Sequence, residues 1–176
     1  SDAAFTNNVG MGQDLVIPAP AVTTTYYVRF EGACNNTTAA NVTVNVLLES
    51  VAPLSAGSSA NDFCEGSVSD ITLSYSGGTL GDGATAQWYT DAAFTNNIGS
   101  GQNLVITAPL STTTYYVRFE GTCNTTADEQ VTVNVYQNPV ATINPVNGCT
   151  DQVLSLNGAP FGGSFTYISH EWTGPG

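Results

Sequence analysis

The chain has 176 residues, with 14 acidic side chains against two basic ones, Arg29 and Arg118, and a formal net charge of −12. Such a chain cannot neutralise a run of phosphates and is repelled by anionic lipid, so no nucleic-acid partner and no direct membrane insertion are expected. Hydrophobic residues still make up 41% and charged ones only 9%, with Val, Thr and Tyr abundant, so the chain is foldable and β-rich rather than an acidic disordered tail.

From the beginning, Asp2–Val46 recurs as Asp91–Val135 at a shift of 89 residues, identical at 33 of 45 positions. The most telling pair is TTTYYVRFEGAC, ending at Cys34, and TTTYYVRFEGTC, ending at Cys123. A period of this length is too long for helical solenoid units and suits tandem β-sandwich domains. Alternation of apolar and polar residues predicts strands at Ile71–Tyr75, Ala84–Tyr89, Asn103–Thr107, Thr113–Cys123 and Val131–Val135. Turn chemistry at Gly77-Gly78, Gly81-Asp82-Gly83 and Asn96-Asn97 separates them. In the long strand, Tyr115, Val117, Phe119, Gly121 and Cys123 share one face, and Tyr116, Arg118, Glu120 and Thr122 the other. Trp88, Tyr115 and Phe119 are expected in the core. Beyond Gln137, strands are expected at Val140–Ile143, Gln152–Leu156 and Tyr167–Trp172.

The domain organisation follows from the repeat. Residues 51–136 form one complete domain, 1–50 match only the C-terminal half of one, and 137–176 read as the N-terminal half of a further one. Cys64 precedes Trp88 by 24 residues, and Cys149 precedes Trp172 by 23, so the last piece is a diverged copy of a first half. The chain is then either a window of a longer array, or a protomer whose last piece completes the first piece of the next copy. Short linkers, Leu47–Pro53 and Gln137–Pro139, predict an extended array.

Four cysteines in a lysine-free chain invite a disulfide reading. Cys64 and Cys123 are expected to pair, closing a loop of about 60 residues worth roughly 3–4 kcal/mol. Cys34 and Cys149, their counterparts, are expected to pair outside this stretch or between chains. No C-x-x-C cluster exists and His170 stands alone, so no metal centre is implied. Asp62, Glu65, Asp70, Asp128 and Glu129 are oxygen donors at the domain ends and weak Ca²⁺ candidates, without a D-x-D-x-D-G loop. No other cofactor is expected. Ser169-His170-Glu171 does not make a triad, because adjacent strand residues point to opposite faces and no nucleophile elbow is present; no catalytic residues and no enzyme activity are expected. Tyr27 and Tyr116, facing outward, are the better aromatic candidates for a sugar contact.

The pattern Cys64…Trp88-Tyr89-Thr90-Asp91…Gly99…Thr112-Thr-Thr-Tyr-Tyr-Val117…Cys123…Val131-Thr-Val133 resembles the Ig-like repeats of very large Bacteroidetes cell-surface proteins. These look like type IX secretion substrates and include gliding-motility adhesins. The tail, Leu156-Asn-Gly-Ala-Pro-Phe-Gly-Gly163 through Ser169-His-Glu-Trp172-Thr-Gly174, is similar to the PKD-like domains of the same arrays. The resemblance implies all-β, tandem Ig-like β-sandwich domains in a structural repeat segment (a stalk) of an extracellular, cell-surface adhesin. Its partners would be neighbouring domains of the same long chain, the secretion or surface-anchoring machinery, and surface glycans. The alternative is an accessory carbohydrate-binding module of a secreted polysaccharide-degrading enzyme.

Overall fold

Every regular element of the computed structural model, which describes residues 3–164 and 169–174, is a β-strand. No helix is long and apolar enough to cross a membrane. The chain forms two compact units, Ser1–Glu49 and Ser50–Gly176.

The first unit holds an antiparallel hairpin, β1 (Thr24–Val28) and β2 (Ala40–Val44), in the register Thr24↔Val44 to Val28↔Ala40. β-Branched and aromatic residues favour the pleat. A hydroxyl contact between Thr25 and Thr43, 2.9 Å, ties the strands across one face. Among the described residues of this unit none is buried; Val28, Phe30 and Val42 are all exposed.

The second unit is a sandwich. One sheet is β3 (Ser55–Ser58), β5 (Asp70–Ser76) and β8 (Asn103–Thr107), in the order β3-β5-β8. The other comprises β4 (Asp62–Cys64), β6 (Thr85–Tyr89), β7 (Asn97–Ser100), β9 (Thr113–Glu120) and β10 (Glu129–Tyr136), in the order β4-β10-β9-β6-β7. Period-2 alternation decides what is buried between them. Ile71 and Leu73 come from one sheet; Trp88, Val117, Phe119, Val133 and Val135 come from the other. The expected core residues Trp88, Tyr115 and Phe119 are all buried. The Trp88 indole N–H donates to the Gly101 carbonyl at 3.0 Å, so this large side chain is buried without an orphaned donor. Every buried residue among those described lies between Ser50 and Val135.

Three strands escape the pattern. β3 is Ser-Ala-Gly-Ser and carries no branched residue. β4 is three residues long and is held by parallel pairing with β10, Asp62↔Asn134 to Cys64↔Tyr136. β7 starts at Asn97, in what reads as a turn, and pairs with β6 across a bulge at Trp88/Tyr89. The long strand expected to reach Cys123 ends at Glu120, because the chain turns at Gly121, whose N–H donates to the Asn124 carbonyl.

Beyond the sandwich, β11 (Pro139–Ile143) pairs with β12 (Gly158–Gly162). Their register, Val140↔Phe161 to Ile143↔Gly158, repeats Ser55↔Ser76 to Ser58↔Leu73 of β3–β5 at a shift of 85 residues. The strand expected at Gln152–Leu156 is not one; that stretch is irregular and exposed. Its alternation has no sheet partner, and the β5 counterpart falls later, on a Gly-Ala-Pro-Phe-Gly segment that reads as a loop. Of the strand expected at Tyr167–Trp172, Tyr167 and Ile168 lie outside the described residues, and residues 169–172 form no strand.

Candidate functional site

On the sheet face turned away from the core, β9 carries Tyr116, Arg118 and Glu120, and β6 ends at Tyr89. The loop after β6 is shaped by Asp91. Its carboxylate accepts the backbone N–H of Thr95 (3.0 and 3.1 Å) and of Asn96 (2.7 Å), and these bonds hold its carboxyl below the usual carboxylate range. The loop thereby presents Phe94 in a left-handed conformation, φ 57°, which a non-glycine residue adopts only under such constraint.

Phe94 closes over the sheet. The Arg118 guanidinium carbon lies 3.8 Å from its ring centre. Tyr89 and Tyr116 meet Phe94 edge-on, at 5.3 and 6.2 Å between ring centres. Below, Glu120 Oε1 accepts from Arg118 Nε (2.8 Å) and Nη2 (2.7 Å) and from the Tyr89 hydroxyl (2.7 Å). The hydroxyl of Tyr89, and then Arg118, hold the Glu120 carboxyl below its ordinary range; burial, and then Glu120, push the Tyr89 phenol up.

The first unit repeats the cluster in part. Phe5 has φ 56°, and the Arg29 carbon lies 4.2 Å from its ring centre. Arg29 Nε and Nη2 donate to Glu31 Oε1 at 2.8 and 2.6 Å. Both cations of the chain are thus used the same way, each neutralised by a glutamate two residues on and covered by a phenylalanine. Tyr116, expected to face outward, is half-buried against Phe94. Phe94 and Tyr89 are the members that sequence reasoning missed. The signal was present, because Asp-Ala-Ala-Phe-Thr-Asn-Asn occurs identically in both repeats, but nothing in strand periodicity reports a loop side chain folding onto a sheet.

The linked stability has a definite sign. Glu120 has a depressed folded pKa, so its contribution is present above the unfolded glutamate value and is lost as pH falls through the folded one. Glu120→Gln is therefore expected to cost up to about 1 kcal/mol at pH 7, given its partial exposure, and less as the pH falls below about 4. Urea titrations at pH 7 and pH 3.5 compare the two; an equal loss at both would contradict the ionic role.

The other candidates are scattered. Asp62 accepts from Asn134 Nδ2 (3.0 Å) and from the Tyr136 hydroxyl (3.1 Å), while Glu65 lies in the turn after β4 and Asp70 opens β5 opposite Thr107. Asp128 and Glu129 stand at the other end of β10. No three His, Cys, Asp or Glu side chains gather among the described residues, so the structure does not bring the calcium candidates together. Ser169, His170 and Glu171 line, with Val140, Ala159 and Trp172, a cavity of about 390 Å³ beside β11–β12. Trp172, the counterpart of fully buried Trp88, is 51% exposed there.

The expected Cys64–Cys123 disulfide is not formed, and the sheet register gives the reason. Cys64 pairs alongside Tyr136, at the last residue of β10. Cys123 lies in the β9–β10 turn, beyond the bridge Glu120↔Thr125, and so past the first residue of β10. β10 alone spans about 23 Å at ~3.3 Å per residue, against the ~4.4–6.8 Å between Cα atoms that a disulfide needs. Cys34 and Cys149, expected to pair outside this stretch or between chains, are exposed, as are Cys64 and Cys123.

The family described as Ig-like domain, CHU_C associated, matches residues 51–139. No curated protein matches the chain.

Proposed function

The chain belongs to the family of CHU_C-associated Ig-like domains, and from that membership we propose that it is a stalk: a structural repeat segment of a very large secreted cell-surface adhesin or filament serving attachment or gliding. The near-identical repeat supports this reading, since 33 of 45 matched positions are unchanged, a pattern suited to a chain in which number and length of units matter. The Bacteroidetes setting, type IX secretion and extracellular location come with the resemblance set out above. The same reading makes neighbouring domains the principal partners and assigns no catalysis.

The observation that carries the proposal is the parallel pairing of β4 with β10. β4 lies near the start of the sandwich and β10 at its end. Tension applied through the two ends therefore loads Asp62↔Asn134, Phe63↔Val135 and Cys64↔Tyr136 together, in shear. An antiparallel hairpin pulled at its open end parts one pair at a time. Stretching the full chain between its termini in a force spectrometer tests this. The sandwich is expected to yield in one step of about 27 nm, set by ~3.6 Å per extended residue between the clamped strands. That step should come at a force well above the opening of β1–β2. Yielding of the sandwich at the hairpin's force would overturn the stalk reading. Retention of the chain on a polysaccharide array, lost on Tyr27→Ala or Tyr116→Ala, would favour the carbohydrate-binding module instead.

A further inference from the structure

We propose that the outer edge of β8 is a self-association surface, at which a second copy of this chain adds its own β8 antiparallel about Val105 and joins the two β3-β5-β8 sheets into one.

The sandwich ends one sheet in β4 and β7 and the other in β3 and β8. An edge strand presents a row of unpaired N–H and C=O groups, and proteins blunt such edges by brevity, bulges, charge or proline. β4 is three residues long, β7 is four and pairs across the bulge at Trp88/Tyr89, and β3 is Ser-Ala-Gly-Ser. β8 is Asn-Leu-Val-Ile-Thr, without charge, glycine or proline. Among the described residues no strand pairs with its far side, and Val105 is 65% exposed.

The phase of the ladder fixes which residues look outward. Ala108 donates its N–H to the Ser69 carbonyl at 2.9 Å, one step beyond the pair Asp70↔Thr107. Bonding alternates along an antiparallel strand, so Leu104, Ile106 and Ala108 bond to β5, while Asn103, Val105 and Thr107 turn their N–H and C=O groups to the far side. The other side of β5 has the same phase. Thr72, opposite Val105, accepts the Ser59 N–H at 2.9 Å and donates its own N–H to Ser59 Oγ at 2.9 Å.

The first repeat carries Asp14-Leu-Val-Ile-Pro18 at the matching positions. Its three central residues are those of β8, and the two that differ are the counterparts of Asn103 and Thr107, both outward residues. Aspartate places a charge on the edge, and proline has no N–H to offer; that stretch forms no strand. The sandwich therefore lacks both blocking residues at the positions where they would act.

A second copy fits because the strand is its own complement. With Val105 opposite the partner's Val105, Asn103 lies opposite the partner's Thr107 at each end. The outward groups then form about six N–H···O=C bonds across a two-fold axis. Charge favours this place over others. Copies carrying −12 each repel, yet Asp70 is the single acidic residue in β3, β5 and β8. Because Asp70 pairs with Thr107, the two-fold axis sets the Asp70 of each copy at opposite ends of the joined sheet.

One added strand covers far less than the ~1,200–2,000 Å² of a standard interface, so a dissociation constant of about 0.1–1 mM is expected. Sedimentation equilibrium of the full chain, in reductant to keep its thiols apart, measures it. Amide exchange locates it: the N–H groups of Asn103, Val105 and Thr107 should slow as the chain is concentrated, whereas those of Leu104 and Ile106 should be slow throughout. Val105→Lys sets like charges face to face across the axis and should weaken association by about tenfold or more. Lysine lowers the overall charge, so that loss reports the edge and not general repulsion. Thr107→Pro, which restores the Pro-Ala-Pro of the first repeat, should weaken it as well, with Trp88 fluorescence showing that both variants are folded. Association that survives Val105→Lys, or that leaves the three outward amides unchanged, would overturn the inference. A chain still monomeric at about 1 mM would also overturn it, and would leave the edge to a strand of a different protein. Pairing through β8 is set by the strand itself and is independent of whether the chain serves as a stalk.

Discussion

Phe119→Ala should destabilise the sandwich by about 3–5 kcal/mol, whereas Phe30→Ala, the same change at the matching position of the first unit, should stay within about 0.5 kcal/mol. The two phenylalanines sit in the same sequence, Thr-Thr-Thr-Tyr-Tyr-Val-Arg-Phe-Glu-Gly, and in hairpins of the same register. Even their tethers match: Thr37 Oγ1 accepts the Phe30 N–H at 2.9 Å, and Thr126 Oγ1 accepts the Phe119 N–H at 3.0 Å. What differs is the other sheet. Phe119 is 1% exposed and meets Tyr75 of β5 edge-on at 5.0 Å, while Phe30 is 78% exposed. Removing the buried ring forfeits its transfer from water and leaves a cavity between two sheets that the backbone holds apart. Urea unfolding followed by Trp88 fluorescence measures the first; amide exchange of Thr24–Val28 measures the second. Comparable losses at both sites would mean that the first unit is packed as tightly as the second, contrary to the exposure of Phe30.

That pair also shows how much of the fold was legible in the sequence. The strand β9 and its inward face, Tyr115, Val117 and Phe119, follow from alternation alone, because a half-buried strand writes its burial into every second residue. Whether a given copy of that strand is buried cannot be written there, since Phe30 and Phe119 have the same neighbours in sequence and opposite environments. β3 and β4 were missed for a related reason. Their pairing is supplied by β5 and β10, not by their own residues, and Ser-Ala-Gly-Ser carries no signal of a strand. Cys123, expected at the end of the long strand, lies three residues past it in a turn, and at which end of the sandwich each cysteine falls depends on the parallel register of β4 with β10, which only topology fixes. Likewise the Arg118–Glu120 pair could be read from its two-residue spacing, whereas Phe94 reaches it through the Asp91 turn.

Gly78→Ala should cost about 2–4 kcal/mol, and Gly66→Ala about 1 kcal/mol. Both glycines have left-handed backbones, φ 72° at Gly78 and 75° at Gly66, so both substitutions carry the penalty that a Cβ meets in that region, roughly 1–2 kcal/mol. Space separates them. A Cβ at Gly66 would meet nothing within 4 Å, whereas one at Gly78 would lie 2.5 Å from the Ala52 carbonyl oxygen and 2.7 Å from that of Val51. Those are backbone atoms and cannot swing aside as a long side chain would. They are further held by the bridge Val51↔Thr79, whose two hydrogen bonds measure 2.9 and 3.0 Å, one residue from Gly78. Making room for the methyl group means breaking that bridge and loosening Ser50, the residue that Asn124 and Gly81 clasp at the leading end. Thermal unfolding of the two variants beside the parent chain gives the comparison. An equal shift for both would show that the Val51–Ala52 backbone yields freely, and that the leading end of the sandwich is less firmly anchored than its hydrogen bonds imply.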